Sequence, residues 1–167
     1  MNHPFDPLDI PGLPGRLIFT PCPGTRGASL QESLATLQQA GATGVISLMP
    51  QAELEANDAG RIAAQCQALG LDWHHLPVAD EQAPRADFDA AWQQASGPIL
   101  AALRAGQSLA IHCKGGSGRT GLIAARILIE AGVPLEPAIA RVQALRPKAI
   151  RHPAHLAWIN ACEATPG

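Results

Sequence analysis

Apolar positions along this chain alternate between short continuous runs and stripes at helical spacing. The runs "RLIFT" (Arg16–Thr20), "TGVISLM" (Thr43–Met49), "LDWHHLPV" (Leu71–Val78) and "SLAIH" (Ser108–His112) have the length and apolar density of strands buried on both faces. Between them lie helical stripes. "SLQESLATLQQAG" opens with Ser29 and carries Glu32 three residues on, a capping box, and stops at Gly41. "DAGRIAAQCQALG" (Asp58–Gly70) also ends on a glycine, and a longer helix is expected over Asp87–Ala105, bent at Gly97-Pro98. The last third is helical throughout: Thr120–Ala131, a helix from Pro134 in a first-turn position, and "HPAHLAWINACEA". Four prolines in residues 1–15 predict an extended arm ahead of a single domain over 16–167. Strands alternating with helices predict an α/β fold, one largely parallel sheet flanked by helices.

Composition narrows the class without naming a chemistry. The chain has 167 residues, enough for one well-buried core, and 47% of them are apolar. No apolar run approaches the roughly 18 residues of a membrane span, and the start has no secretory pattern, so a cytoplasmic protein without a membrane partner is expected. The four cysteines (Cys22, Cys66, Cys113, Cys162) are far apart, which argues against both a disulfide framework and a zinc site. No cofactor or metal is called for, and a monomer is expected. Charge is unevenly spread: residues 1–100 carry 4 basic and 11 acidic side chains, residues 101–167 carry 8 and 3. Such a field steers anions to the second part of the chain. With no basic run interleaved with aromatics, and no tyrosine at all, a nucleic-acid partner is not expected.

The chemistry concentrates in "AIHCKGGSGRTGL", Ala110–Leu122, a glycine-rich turn from strand to helix. Such a turn aims unpaired backbone N–H groups and the positive end of a helix dipole at one spot, which suits an anion. Gly116-x-Gly118-x-x-Gly121 matches the dinucleotide fingerprint only formally, because a following strand ending in an acid is missing. The nucleotide P-loop fails too, since no lysine follows Gly118. The remaining reading uses every residue. Cys113 stands at the floor of the turn, and Arg119 follows after five residues. Backbone amides, a helix N-terminus and a guanidinium all favour the ionised sulfur. The same donors fit phosphoryl oxygens, two of which Arg119 can hold with its planar fork. Gly115, Gly116 and Gly118 let the backbone close around the anion.

"HCKGGSGRTG" resembles the H-C-x5-R-[ST] signature of cysteine-dependent protein tyrosine and dual-specificity phosphatases. The resemblance extends to roughly residues 15–160: "LDWHHLPVADEQAP" resembles the segment bearing the family's general-acid aspartate. That segment, with "CPG", "ELEAND" and "ALRPKAI", is most similar to the kinase-associated phosphatase branch. Two positions depart from that branch and bear on substrate preference. No arginine precedes "EL" in "LMPQAEL", and Arg151 stands where glutamine is usual after "AI".

The resemblance implies a protein tyrosine phosphatase-like fold and a role for each matching residue. Cys113 would attack phosphorus, Arg119 would bind the phosphate and stabilise the transition state, and Asp80 would protonate the leaving oxygen and then activate water. Thr120 would hydrogen-bond the sulfur, and His112 would brace the loop. Lys114, Gly115, Gly116, Ser117 and Gly118 would line the phosphate site with Arg119. Glu81 is a competing acid beside Asp80. Lys148 and Arg151, with Arg146, are expected to flank an incoming phosphate; Trp73 is expected in the core. The expected reaction is hydrolysis of phosphate monoesters, of phosphotyrosine and also of phosphoserine or phosphothreonine, in a protein or peptide, through a cysteinyl-phosphate. The alternatives are a phosphoinositide phosphatase, a phosphate-binding adaptor without turnover, and a sulfur transferase. A lysine common in lipid phosphatases resembling this family is replaced by Ser117, and the aspartate loop argues against sulfur transfer.

Overall fold

The computed structural model of the chain describes residues 3–163. The outer ends of the expected arm and domain, and Ala164 at the end of the last expected helix, lie outside them. Five strands form one sheet: β1 (Asp6–Asp9), β2 (Arg16–Thr20), β3 (Ala42–Ser47), β4 (Asp72–His75) and β5 (Ser108–His112), in the order β1-β2-β5-β3-β4. All neighbours are parallel except β1, which pairs antiparallel with β2, Asp6 opposite Phe19 and Asp9 opposite Arg16. Residues Asp6–Asp9 of the proline-rich arm are therefore an edge strand. Pro7 suits that place, where one side of the strand needs no ladder bonds.

Seven helices are described: α1 (Leu30–Gln39), α2 (Gln51–Ala56), α3 (Ile62–Leu69), α4 (Ala86–Arg104), α5 (Gly118–Glu130), α6 (Leu135–Leu145) and α7 (Pro153–Glu163). The capping box forms at α1: Ser29 accepts from the Glu32 amide, and the Glu32 carboxylate accepts from the Ser29 amide. Gly70 closes α3 in the left-handed conformation, at φ +75°. The expected helix over Asp58–Gly70 starts only at Ile62, because α2, a six-residue helix not expected from the pattern, ends in a turn through Asp58 at φ +58°. Helix α4 continues through Pro98. Pro134 is the cap of α6 and Leu135 its first residue.

Strand alternation divides the core in two. Leu17 and Phe19 of β2, Ile46 of β3, and Leu109 and Ile111 of β5 pack beneath α4, α5, α6 and α7. Ile18, Val45 and Ala110, one position out of phase, pack with Leu34 and Leu37 of α1, Leu54 of α2 and Ile62 and Cys66 of α3. Helix α5 is buried nearly all round, from Arg119 to Ala125 and at Ile127 and Leu128, as a helix wrapped by sheet and neighbours must be. Gly121 makes this possible: a Cβ there would lie 2.5 Å from the Ala149 Cβ and 3.0 Å from Val142 Cγ1.

Parallel register carries four polar residues to one edge. Thr20 pairs with His112, His112 with Ser47 and Ser47 with His75, a row along the carboxyl ends of β2, β5, β3 and β4. In an open α/β sheet that edge is where ligands bind.

Candidate active site

Just beyond that edge, Cys113 follows β5 and Ser117 caps α5 without a side-chain cap bond. Among the described residues none accepts a hydrogen bond from the amides of Lys114–Gly118. A cavity of about 400 Å³ opens above this turn, lined by Thr25, Arg26, Asp80, Cys113, Lys114, Gly115, Ser117, Gly118 and Arg119. Gly116 is the one turn residue that does not line it. Its φ is +80°, and a Cβ would lie 2.8 Å from the Thr20 carbonyl, so only glycine fits. A Cβ on Gly115 or Gly118 would meet nothing within 4 Å.

Cys113 is almost fully buried, and its sulfur accepts a 3.1 Å bond from the Thr120 hydroxyl. Beneath it, His112 lies in a buried chain whose donors assign its tautomer. Nδ1 faces the Cys113 carbonyl at 3.0 Å and must donate. Nε2, 2.6 Å from Ser47 Oγ, must then accept, and Ser47 in turn accepts from the Trp73 indole at 2.9 Å. Burial pushes the His112 imidazole down to about 4, outweighing the carbonyl bond, so it is neutral here.

Arg119 is held by Glu53 of α2. Nη1 and Nη2 donate to the two Glu53 carboxylate oxygens at 2.8 and 2.6 Å, and Nη1 also donates to the Val78 carbonyl at 2.9 Å. A guanidinium has five N–H groups. Those bonds use three, and the pair left is the parallel Nε–H and Nη2–H. That pair is a free fork for two oxygens of one anion. Burial disfavours the charge, but the Glu53 hydrogen bond, with Cys113, Glu53 and Asp80 nearby, raises the guanidinium above its ordinary value. Asp80 reaches to 3.5 Å from Nη2, with an exposed side chain at the cavity mouth. Glu81, at φ +60°, does not line this cavity.

The remaining scaffold comes from distant parts of the chain. The Cys22 amide donates to the Lys114 carbonyl at 2.9 Å, which brings the following Thr25 and Arg26 to the mouth. The Cys22 thiol itself is buried, and burial first, then Cys113, push it up to about 12. Arg146, expected among the substrate-facing charges, faces the scaffold instead. It donates to the Gly116 carbonyl at 2.9 Å and to Asp6 of β1 at 2.9 Å, and lies over the Phe19 ring. Lys148 and Arg151 line a smaller adjoining cavity of about 150 Å³. Trp73 is half-buried, stacked on His75, and takes no part in the cavity. Glu53, Thr25 and Arg26 are the site residues that sequence reading missed. The "ELEAND" and "CPG" segments marked their places, but nothing local pairs either with the turn.

A protein-family model described as "Tc-R-P: Polymorphic toxin system, DSP-PTPase phosphatase" matches residues 23–133, which holds the whole turn, Asp80 and Glu53. The chain belongs to this phosphatase family. No curated protein matches the sequence at a significant level. Among solved structures, the phosphatase is similar to kinase associated phosphatase with its catalytic-site cysteine changed to serine. That likeness has a TM-score of 0.86 at 21% identity, over 100% of this chain and 99% of the other. It is similar to Tk-PTP in its active form (TM-score 0.73, 22% identity, 96% and 97% covered). A third likeness is to PTPMT1 in complex with PI(5)P (0.66, 17%, 89% and 90%). The shared fold is the mostly parallel sheet flanked by helices.

Proposed function

We propose that this phosphatase hydrolyses phosphotyrosine, and also phosphoserine or phosphothreonine, in protein substrates through a cysteinyl-phosphate. The observation that carries the reading is the meeting of Cys113 Sγ, the open Arg119 fork and the free amides of Lys114–Gly118 on one cavity. In the first step the Cys113 thiolate bonds to phosphorus while the bond from phosphorus to the ester oxygen breaks. Arg119 and the amides hold the equatorial oxygens, and Asp80 gives its proton to the leaving oxygen. In the second, water attacks phosphorus, Asp80 takes back a proton, and the P–S bond breaks to release inorganic phosphate and thiolate. The Thr120 hydroxyl, already on the sulfur, stabilises that thiolate as it leaves. His112 holds the Cys113 carbonyl and stays neutral throughout.

A phosphoinositide is the second reading, supported by the likeness to PTPMT1, seen with PI(5)P. A protein substrate is favoured by Ser117 in the turn and by the scarcity of exposed large apolar side chains, Phe5 and Leu156 among the described residues.

The test is hydrolysis of aryl phosphates and phosphopeptides. Cys113→Ser is expected to abolish turnover and keep phosphate affinity, and rapid acid quench of the unmodified enzyme to yield phosphate on Cys113. Asp80→Asn is expected to cost about 10²–10⁴ for alkyl-type leaving groups and only a few-fold for nitrophenolate, which needs no proton. Turnover surviving Cys113→Ser ends the covalent mechanism, and an equal loss for both leaving groups moves the acid to Glu81.

A further inference from the structure

We propose that His155 is a positioning residue for the proposed general acid: its ring ties the Gln82 carbonyl to helix α7 and so sets where the Asp80 carboxylate stands at the cavity mouth; this rests on the acid role read for Asp80 above. His155 lies in the first turn of α7 and is almost fully buried. Its Nε2 donates to the Gln82 carbonyl at 2.9 Å, a contact between residues 73 positions apart. Burial lowers the imidazole below its ordinary value, against the opposing effect of that bond. Near neutral pH the ring therefore carries one proton, and Nε2 holds it.

Asp80 has little else to aim it. Its side chain is 69% exposed and, among the described residues, meets one cation, Arg119 Nη2 at 3.5 Å. An exposed carboxylate takes its place from its backbone, so whatever fixes the loop fixes the acid. Upstream, Val78 is buried; its amide donates to the Leu48 carbonyl at 2.8 Å, and its carbonyl accepts from Arg119. Downstream, Pro84 is buried just ahead of α4. Between those points, among the described residues, the backbone makes one bond within itself and one to the rest of the protein. The first joins the Gln82 amide to the Ala79 carbonyl at 3.1 Å and closes a turn around Asp80 and Glu81. The second is the bond from His155.

The turn also stores strain. Glu81 sits at φ +60°, in the left-handed region, at a turn position that favours glycine. Such a conformation persists only where its surroundings over-determine it, and it relaxes when a restraint goes. Without the His155 bond, Glu81 can leave the left-handed region, and rotation there re-aims its neighbour Asp80. Proton transfer needs the acid within about 2.6–3.2 Å of the leaving oxygen, and a misplacement of about 1 Å can cost about a hundredfold. Arg119 and the turn amides grip phosphate without passing through Gln82, so the loss falls on protonation and spares binding.

The experiment measures kcat and KM of the full chain for phenyl phosphate and nitrophenyl phosphate, whose leaving oxygens differ in their need for a proton. His155→Leu is expected to lower kcat for phenyl phosphate by about 10- to 100-fold and for nitrophenyl phosphate by about threefold or less, with KM for both nearly unchanged. His155→Gln, whose amide N–H reaches about as far as the imidazole Nε2, is expected to restore kcat for phenyl phosphate to within about threefold of the unmodified enzyme. In an Asp80→Asn background His155→Leu is expected to add less than about twofold, because the acid it positions is already gone. Where His155→Leu does not fold, His155→Asn, polar but too short to reach Gln82, is read in its place. Unchanged kcat for phenyl phosphate overturns the proposal, as does an equal loss for both esters, which makes His155 a general support. A full further loss on top of Asp80→Asn overturns the link to Asp80. If Asp80→Asn itself costs both esters equally, the acid reading of Asp80 fails and the role of His155 falls with it. If Asp80→Asn discriminates between the esters and His155→Leu does not, the tether alone is overturned.

Discussion

The floor of the site and its rim are built on opposite principles. On the floor each side chain is anchored while the turn amides and the Arg119 fork stay open: Cys113 is bonded by Thr120, Arg119 by Glu53 and Val78, the Gly116 carbonyl by Arg146, and His112 by Ser47. On the rim Arg26, Lys114, Lys148 and Arg151 make no ion pair among the described residues. A buried side chain left without a partner costs free energy outright, so Cys113, Arg119 and His112 must be anchored before substrate arrives. Exposed cations are hydrated and need no partner. The difference teaches that the floor is organised for one reaction, whereas the rim is free to choose among substrates.

If that division holds, the largest loss should come from Arg119→Lys. A single ammonium cannot satisfy Glu53 and Val78 and still present two parallel donors to phosphate. We expect kcat/KM for an aryl phosphate to fall by roughly 10³, as for loss of transition-state donors elsewhere. Retention of more than a tenth of the activity would show that the free fork is unnecessary.

Glu53→Gln comes next. It leaves the buried guanidinium with one acceptor fewer and without the charge of its nearest carboxylate, a cost of about 2 kcal/mol of stability. Activity should fall by about ten- to a hundredfold, mostly in kcat, because Arg119 then samples other positions. Chemical denaturation and kinetics on the same variant separate the two effects. A stability loss with unchanged kcat would confine Glu53 to the scaffold.

Acid sharpens the comparison without a mutation. The His112 imidazole has a value of about 4 folded and 6.5 unfolded, so between these limits the unfolded chain binds more protons. Stability therefore rises with pH: the neutral histidine's contribution is complete above 6.5 and is lost as pH falls towards 4. From His112 alone the loss at pH 5.5 is about 1 kcal/mol. Denaturant midpoints at pH 7.5 and 5.5 measure it, and His112→Gln should flatten the dependence.

The smallest effect belongs to the rim. Arg26→Gln removes one exposed cation, worth up to about 1 kcal/mol, and should raise KM for a phosphopeptide by up to about fivefold while leaving kcat for a small aryl phosphate nearly unchanged. The increase should shrink as salt rises. A collapse of kcat would place Arg26 with the floor.

The contrast also marks how far local pattern could be read. The capping box at Ser29, the left-handed Gly70 stop and the run from Ser108 into α5 are features of contiguous residues, and they form as their spacing predicts. Strand β1 was legible only as part of an extended, proline-rich segment, because its partner lies across a turn and the prolines in and around it mask the alternation of a strand. Helix α2 is too short, at six residues, for a periodic stripe. Arg146 read as one more positive charge; only its contacts with Gly116 and Asp6, 30 and 140 residues away, make it a brace.

By itself the sequence determined the turn that carries the proposed chemistry: a cysteine at a strand end, a run of glycines, and an arginine on the first turn of the next helix. These lie within seven consecutive residues, so local geometry alone nearly assembles them. Tertiary structure decided which groups complete that turn. Glu53 reaches Arg119 across 66 residues, Ser47 reaches His112 across 65, and the Arg26 and Lys148 loops meet the cavities from opposite ends of the chain. Parallel register aligns the carboxyl ends of β2, β5, β3 and β4, and that alignment, a property of the packed sheet, carries distant polar residues to the one edge where the proposed phosphate site opens.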